Sequence, residues 1–413
     1  MQLIKILNRL FIFLWCLFLI SCQSVPTETM TKPTYLSYEE GIHKLSHDLL
    51  TKLQQKQGFL SDTATLVFNP FLDVDSGQIL QVSLDIEEKF FEETGKHFKN
   101  INMSRLTLSK LKTANYIVNG IIKYESKKSS AKKHYQISAS IVDLTTKTIV
   151  TNGTVWIVSS GLDYQPTASY EDNPMYIKGK LIEYLLKTVQ SPVGTQVNFK
   201  DSKDSKEDKE DKEDKDTKDF NFIEIKARLV EAQTAYDNGD YEQARLMFKE
   251  ILNQPDGKII EAYGGLYATN IKLGSLEEAE QNFGNMVAVA VETRSLPIKF
   301  LFQSQMRDLL EVPTLRQQYA IWLRQMGLYF KNHPNHCVNI IGHTSQYGIY
   351  DFNKELSKRR AERIQFIMAQ TFSGIFEHSS TIGKGPDETI VGTVPDSVEN
   401  AIDRRVEFQI TDC

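Results

Sequence analysis

The sequence is poor in the residue types on which most enzymes and metal sites depend. Its 413 residues include only four cysteines and eight histidines. The chain contains no nucleophile elbow, Walker A loop or CxxC motif. His43 and His47 have the spacing of two metal ligands on a helix, but the glutamate of an HExxH motif is missing between them. We therefore predict no enzymatic activity, no catalytic residues, no cofactor and no metal site, and we place both histidines on a solvated helix face.

Two further features are absent. The formal net charge of −5 at pH 7 gives no basic excess of the kind that nucleic-acid binding requires. Beyond the N-terminal segment, no apolar run is long enough to span a bilayer. A chain of this length predicts two to four domains, and their boundaries must be found from local patterns.

The one long apolar run is a targeting segment at the N-terminus. Basic residues precede an apolar stretch at 10–20, and the segment ends in Leu-Ile-Ser-Cys at 19–22. This ending resembles a bacterial lipobox. The resemblance implies a signal peptide at 1–21 and lipidation of Cys22, and Gln23 implies sorting to the outer membrane, facing the periplasm. Two or three acyl chains hold a protein firmly, whereas one does not. An uncleaved anchor or an ordinary secretory signal is the alternative.

The rest of the chain divides where its composition changes. A segment rich in Thr, Ser and Pro follows Cys22 and predicts a tether. Residues 200–219 are almost entirely Asp, Lys, Glu and Ser, so they cannot bury a core and are predicted to be disordered. The predicted segments are a tether at 22–35, an α+β domain at 36–192, a charged linker at 193–220, helical repeats at 221–293 and a C-terminal domain at 296–413.

The first domain mixes helical and strand patterns. Apolar residues recur at helical spacing from Ile42 to Leu53, whereas residues 135–141 alternate between apolar and polar, as in a half-buried strand. Three stretches, 66–79, 114–124 and 135–157, resemble the periplasmic lipoprotein fold of LpoB and its CsgG and TolB-N relatives. The resemblance implies an α/β sandwich-type domain that docks a protein rather than a catalyst.

Residues 221–293 contain an internal repeat, in which Gly274 follows Gly239 after 35 residues. The other pairs at this offset are Ala244 and Ala279, Phe248 and Phe283, and Tyr236 and Ile271. The pattern resembles tetratricopeptide (TPR) helix pairs. The resemblance implies a short all-α unit that is either a spacer or a protein-binding groove.

The most informative stretch begins at Gly342. An apolar run before it predicts a buried strand, and a periodic segment after it predicts a helix with Asn353 at its N-cap. On a helical wheel, Ser357 and Arg360 fall among the apolar residues. A guanidinium on a packed face is costly unless an anion meets it. Either an internal salt bridge or a carboxylate from a ligand would satisfy Arg360.

The same stretch carries a family resemblance. Its motif consists of GHT at 342–344, Asn353, Leu356-Ser357, Arg360-Ala361 and RRVE at 404–407. This resembles the OmpA-like (OmpA/MotB C-terminal) peptidoglycan-binding domain, which implies a βαβαββ fold for 296–413. The predicted elements include strands at 296–303, 381–384 and 403–408 and a first helix at 314–331. The whole chain is thus predicted to be a multidomain α+β protein.

The resemblance also implies non-covalent binding of the diaminopimelate residue of the peptidoglycan stem peptide. The implied binding residues are Thr344, Ser345, Asn353, Leu356, Arg360 and Arg404. In the family, an Asp after GHT pairs with the ligand amine, and the Arg of the RA motif pairs with its carboxylate. Ser345 replaces that Asp here, and the loss of a charged partner would weaken binding by ~1.5–3 kcal/mol. Asp351 and Asp403 are alternative partners for the amine.

The predicted signal peptide, lipidation site and C-terminal domain together assign a role to each of the four cysteines. Cys16 leaves with the signal peptide and Cys22 carries lipid, so Cys337 and Cys413 remain as a pair in an oxidising compartment. The OmpA-like topology implies that their strands are adjacent and antiparallel. We therefore predict a Cys337–Cys413 disulfide, with two buried free thiols as the alternative.

Two functional hypotheses follow. In the first, an outer-membrane lipoprotein binds peptidoglycan, links the membrane to the cell wall and presents a protein-docking module. In the second, the protein regulates or scaffolds a periplasmic machine for peptidoglycan synthesis, secretion or motility, and its wall binding is weak or lost. The expected partners are peptidoglycan, the outer membrane and a periplasmic protein, and not nucleic acid.

Overall fold

The structure is a computed structural model. It describes residues 33–57, 63–125, 133–159, 162–176, 180–197, 222–255, 257–292, 294–303, 305–309, 313–389 and 403–413. The predicted signal peptide, Cys22, nearly all of the tether and most of the charged linker lie outside these residues. The described chain is a mixed α/β protein with eleven α-helices and two sheets. None of the helices in this part has both the length and the apolar character needed to cross a bilayer.

Residues 35–197 contain a seven-stranded sheet. Its strands are β1 (Tyr35–Leu36), β2 (Ala64–Phe68), β3 (Leu72–Asp73), β4 (Ile101–Arg105), β5 (Tyr116–Glu125), β6 (Lys133–Asp143) and β7 (Thr148–Ser159). The spatial order is β1-β7-β6-β5-β2-β4, with β3 beside β5. The helices are α1 (Tyr38–Gln57), α2 (Gln81–His97), α3 (Leu108–Leu111), α4 (Ala168–Glu171) and α5 (Lys180–Gln190).

Two helical hairpins follow. They comprise α6 (Phe222–Asp237), α7 (Tyr241–Leu252), α8 (Ile260–Lys272) and α9 (Leu276–Glu292). Gly239 and Gly274 form the equivalent turns with φ of 82° and 74°, a left-handed conformation that favours glycine. Phe248 of the repeat packs over Gly265, where an added Cβ would lie 2.2 Å from the ring. The 35-residue period therefore corresponds to one helical hairpin.

The two faces of the large sheet pack against different helices. Leu66 and Phe68 of β2 share a core with α1 and α2. Val67 points to the other face, because successive side chains of a strand alternate, and it packs with Ala227 of α6. Val197 belongs to this second core, so the packed chain continues five residues beyond the boundary predicted at 192.

The C-terminal part is built on a four-stranded sheet. Its elements are β8 (Ser295–Leu296), α10 (Pro313–Asn332), β9 (His336–His343), α11 (Tyr350–Met368), a 3-10 turn (Ser373–Phe376), β10 (Ser379–Gly385) and β11 (Val406–Asp412). The strand order is β10-β9-β11-β8, with β9 parallel to β10 and antiparallel to β11. A disulfide joins Cys337 in β9 to Cys413 after β11, so the two cysteines paired from the resemblance are bonded.

The first predicted strand of this part is much shorter in the structure. Instead of 296–303, only Ser295–Leu296 is regular strand. Pro297 has no N–H to give to a ladder. The next residues pair with the first part of the chain, and Lys299 N donates to Pro174 O at 2.9 Å. The segment that was expected to complete one domain therefore joins two.

Two other boundaries differ from prediction. The helix α11 begins at Tyr350, so Ile349 is its N-cap and Asn353 lies within its first turns. The last strand begins at Val406 rather than 403, because its pairing with β9 starts with Val406 opposite Gly342. Asn353 therefore lies inside α11 rather than at its start, and residues 403–405 precede β11 rather than belonging to it.

The three parts meet at the segment after α4. Asp172 accepts a hydrogen bond from Tyr236 Oη at 2.8 Å and lies 2.9 Å from Lys272 Nζ, both in the helical repeats. Trp322 of α10 donates through Nε1 to Tyr267 Oη of α8 at 2.7 Å. One hydrophobic core includes residues from all three parts. Residues Tyr35–Cys413 consequently form one compact unit.

Candidate functional site

The candidate site lies where β9 ends and α11 packs across the sheet. A Cβ at Gly342 would lie 1.9 Å from Ser357 O, and a Cβ at Gly383 would lie 2.6 Å from Lys354 O. No larger residue fits at Gly342 unless the backbone of α11 moves. These glycines therefore fix the depth at which α11 carries its side chains into the site.

Arg360 projects from α11 into the interior and is 1% exposed. Its Nε donates to Met306 O at 3.1 Å, Nη2 donates to Gln303 O at 3.3 Å, and Nη1 lies 3.5 Å from His343 O. The guanidinium also lies over the Phe302 ring, 4.9 Å from its centroid. Main-chain carbonyls from the segment before α10 thus cover the planar fork.

Several buried polar groups surround the end of β9 without hydrogen-bond partners among the described residues. They are both imidazole nitrogens of His343, the hydroxyl of Thr344 and Nη1 of Arg405. Glu388 and Glu407 face the imidazole at 4.0 and 3.9 Å, distances too long for hydrogen bonds. Because buried polar atoms are normally paired, this cluster is unusual in a protein interior.

The imidazole of His343 is neutral at physiological pH. Burial lowers its pKa from 6.5 to about 4, and the positive charge of Arg405 acts in the same direction. Glu407 and Glu388 act in the opposite direction with smaller effects. In the neutral form one ring nitrogen donates and the other accepts, so His343 offers both kinds of hydrogen bond to a ligand.

A cavity of about 360 Å³ opens beside this site. It is lined by Gln305, Met306, Arg307, Asp308, Phe352, Glu355, Leu356 and Arg359. Met306 contributes both to the cavity wall and, through its carbonyl, to the cover over Arg360. Among the described residues, this short segment therefore lies between the guanidinium and the cavity.

The loop after β9 is held down by Asn353. Its Nδ2 donates to Tyr347 O at 2.9 Å and lies 3.4 Å from Ser345 O. Thr344 and Ser345 are 3% and 6% exposed. Asn353 was expected at the helix N-cap and instead fixes the loop that carries these two side chains.

The remaining residues implied by the resemblance also lie at this end of the sheet. Leu356 is buried and lines the cavity, one helical turn before Arg360. Arg404 is half-buried two residues before β11 begins. Of the two alternative partners for a ligand amine, Asp351 is exposed on α11 and Asp403 is fully buried.

Two groups in the site were not assigned a binding role from the sequence. His343 and Arg405 lie within the GHT and RRVE motifs, so the sequence already marked their positions. The carbonyls of Gln303 and Met306 carry no sequence signal, because every residue has a main-chain carbonyl. Only the folded structure reveals that they cover Arg360.

No protein-family model and no curated protein matches the chain. Solved structures do show similarity. The peptidoglycan-associated lipoprotein from Burkholderia pseudomallei is 18% identical over 30% of this chain and 93% of its own, with a TM-score of 0.24. The C-terminal domain of Helicobacter pylori MotB is 19% identical over 28% of this chain and 84% of its own, with a TM-score of 0.23.

A putative MotB-like protein from Desulfovibrio vulgaris is a third similar structure. It is 19% identical over 34% of this chain and 98% of its own, with a TM-score of 0.24. At these identities and TM-scores, similarity alone establishes neither the family nor the function of the chain. Evidence for function comes instead from the geometry at the end of β9.

Proposed function

We propose that the C-terminal part, residues 296–413, binds the peptidoglycan stem peptide non-covalently at Arg360. One observation carries the proposal: a buried guanidinium lies beside buried side-chain atoms that have no hydrogen-bond partner in the described part of the chain. These atoms are the two ring nitrogens of His343, the hydroxyl of Thr344 and Nη1 of Arg405, whose Nε and Nη2 already donate to Glu407 and Glu388. A ligand with a carboxylate and an amine would satisfy both donors and acceptors, and the diaminopimelate residue carries both groups.

Binding at Arg360 requires the segment around Met306 to withdraw. The carbonyls over the guanidinium are neutral, whereas a carboxylate forms two charge-assisted hydrogen bonds with the same fork. The adjacent cavity, which Met306 lines, gives a ligand access to this segment. Gln305 in this segment has a φ of 58°, a left-handed conformation that costs a residue with a side chain roughly 1–2 kcal/mol.

The amine of the ligand would meet the Thr344–Ser345 loop. The hydroxyl of Ser345 accepts a hydrogen bond from an ammonium but brings no charge. Hydrogen bonds to charged groups are stronger than those between neutral groups. This site therefore binds more weakly than one with an aspartate at the same position.

The order of elements supports this proposal. The sequence β8-α10-β9-α11-β10-β11 has the βαβαββ order that the OmpA-like resemblance implies. The lipobox pattern at 19–22 would attach the other end of the chain, through acyl chains on Cys22, to the outer membrane. A protein attached at both ends would link the outer membrane to the cell wall and present its remaining parts to a periplasmic partner.

The test is binding of the full-length protein to purified sacculi in a pull-down titration. Arg360→Lys keeps the charge but removes the planar fork, and it should weaken binding about tenfold. Ser345→Asp restores a charged partner for the amine, and it should strengthen binding by about tenfold.

Lys358→Ala is the matched control, because Lys358 is an exposed cation on the same helix. It should bind sacculi as the wild type does. Melting temperatures of all variants would separate lost binding from lost folding. Equal binding by wild type and a folded Arg360→Lys protein would reject Arg360 as the contact.

A further inference from the structure

The helices α1 and α2 bring two histidines and a glutamate together at one point on the surface. His43 and His47 lie one turn apart on α1, and Glu93 faces them from α2. His43 Nε2 lies 3.4 Å from Glu93 Oε2, and His47 Nδ1 lies 2.8 Å from Glu93 Oε1. One potential ligand atom from each residue lies within 4.8 Å of the other two.

The three side chains differ in their exposure to solvent. The side chain of Glu93 is only 6% exposed, whereas those of His43 and His47 are 63% and 46% exposed. A carboxylate at this depth requires partners, and the imidazoles provide them from the solvent side. An ion can therefore reach the cluster from solvent while its most buried ligand is already in place.

A fourth potential ligand lies close by. His97 follows Glu93 by one turn of α2, and its ring centroid is 6.2 Å from that of His47. The rings of His43 and His47 are stacked with centroids 5.7 Å apart. The two helices thus present four ligand-type residues, each helix contributing a pair at positions i and i+4.

Both helices that carry the cluster are packed into the core on their opposite faces. Leu45 and Leu49 of α1 and Ile86 and Phe90 of α2 are buried in one core, so the opposite faces of both helices are fixed. The ring of Phe98 lies 5.5 Å from that of His47 and limits its movement. Ligands on packed helices hold a metal geometry better than ligands on loops.

We propose that His43, His47 and Glu93 bind one Zn²⁺ ion, with His97 or a water molecule as the fourth ligand. Two imidazole nitrogens and one carboxylate oxygen are donors that zinc accepts. Tetrahedral zinc with bonds of about 2.0–2.1 Å separates its ligand atoms by about 3.3 Å, close to the His43–Glu93 distance. The ion would replace the hydrogen-bonding proton between His47 and Glu93, so their atoms separate slightly.

The ion would hold α1 against α2. Because metal binds the folded protein in preference to the unfolded chain, zinc should raise the melting temperature in a concentration-dependent way. A hydrogen bond between His47 and Glu93 without metal would give no such dependence. The melting temperature measured at increasing zinc concentrations therefore distinguishes the two alternatives.

The experiment titrates ZnCl₂ into the full-length protein after chelator treatment and dialysis, with calorimetric and thermal-unfolding readouts. We expect one zinc per chain and at least tenfold weaker binding in Glu93→Gln and His47→Gln. Co²⁺ in the same site should show the visible absorption of a tetrahedral complex. Unfolding without metal shows that both variants are folded, and Glu93→Gln keeps a hydrogen-bonding group beside His47.

His333→Gln is the matched control, because His333 stacks on His336 in the C-terminal part at a similar 5.8 Å. It should leave zinc affinity and stoichiometry unchanged. The proposal is overturned if the wild type binds no zinc, if Glu93→Gln and His47→Gln bind as tightly as the wild type, or if His333→Gln abolishes the site.

Discussion

The site at the end of β9 and the histidine–glutamate cluster on α1 and α2 differ in how their polar groups meet solvent. Arg360 and His343 are 1% and 0% exposed, and a chain segment covers the guanidinium. In the cluster, the two histidine side chains are largely exposed and only the carboxylate is buried. A ligand could reach Arg360 only after this segment moved, whereas an ion could reach the histidine–glutamate cluster directly. Burial therefore determines whether binding requires a conformational change.

The largest change in stability should come from a substitution at Gly342, where β9 packs tightly against α11. Gly342→Ala places a methyl group against Ser357 O and forces α11 away from β9. We expect the free energy of unfolding, measured by urea denaturation, to fall by ~3 kcal/mol or more, the upper end of the overpacking range, because the clash is with backbone. An unchanged midpoint would mean that the helix does not pack this closely on the strand.

The second largest effect is the pH dependence of stability that His343 causes. The unfolded chain binds a proton near pH 6.5, whereas the folded protein binds it only near pH 4, so the unfolded state holds more protons between these values. This contribution to stability is complete above pH 6.5 and is lost as the pH falls to about 4, amounting to ~3 kcal/mol.

Replacement of His343 tests this directly. His343→Gln removes the titrating group, so its unfolding free energy should depend less on pH between 4 and 6.5 than that of the wild type. Chemical denaturation at several pH values measures both slopes. Parallel curves for the two proteins would show that another group controls acid stability.

The smallest change in stability should come from a substitution beside the histidine–glutamate cluster. Gly95 lies in α2 between Glu93 and His97, and an added Cβ would have no heavy atom within 4 Å. Gly95→Ala should raise the unfolding free energy by ~0.5–1 kcal/mol, because alanine loses less entropy in a helix. Zinc affinity should stay the same. Destabilisation by Gly95→Ala would mean that the added methyl group clashes with other atoms, as the methyl group does at Gly342.

Local patterns in the sequence predicted several elements well. The helix predicted at 314–331 is Pro313–Asn332 in the structure, and each of the two copies of the 35-residue repeat is one helical hairpin. The helical wheel placed Arg360 on the packed face, where it is buried. These features depend on side chains a few positions apart, so their periodicity is visible in the sequence alone.

Contacts between distant segments were not predictable in this way. The strand expected at 296–303 is interrupted after Leu296, because Lys299 pairs with Pro174 in another part of the chain. Asn353 bonds to the preceding loop from inside α11 instead of capping the helix. The residue pattern permits two arrangements in both cases. Pairing with a distant segment decides the first, and the path of the loop only six residues before Asn353 decides the second.

The sequence by itself determined which residues share a helix face: Arg360 inward on α11, and His43 with His47 on one side of α1. Only the tertiary structure decided what lies opposite them. Met306, which covers Arg360, is 54 residues away, and Glu93, which joins His47, is 46 residues away. Periodicity is a property of neighbouring residues, whereas partners this far apart meet only when the whole core has packed.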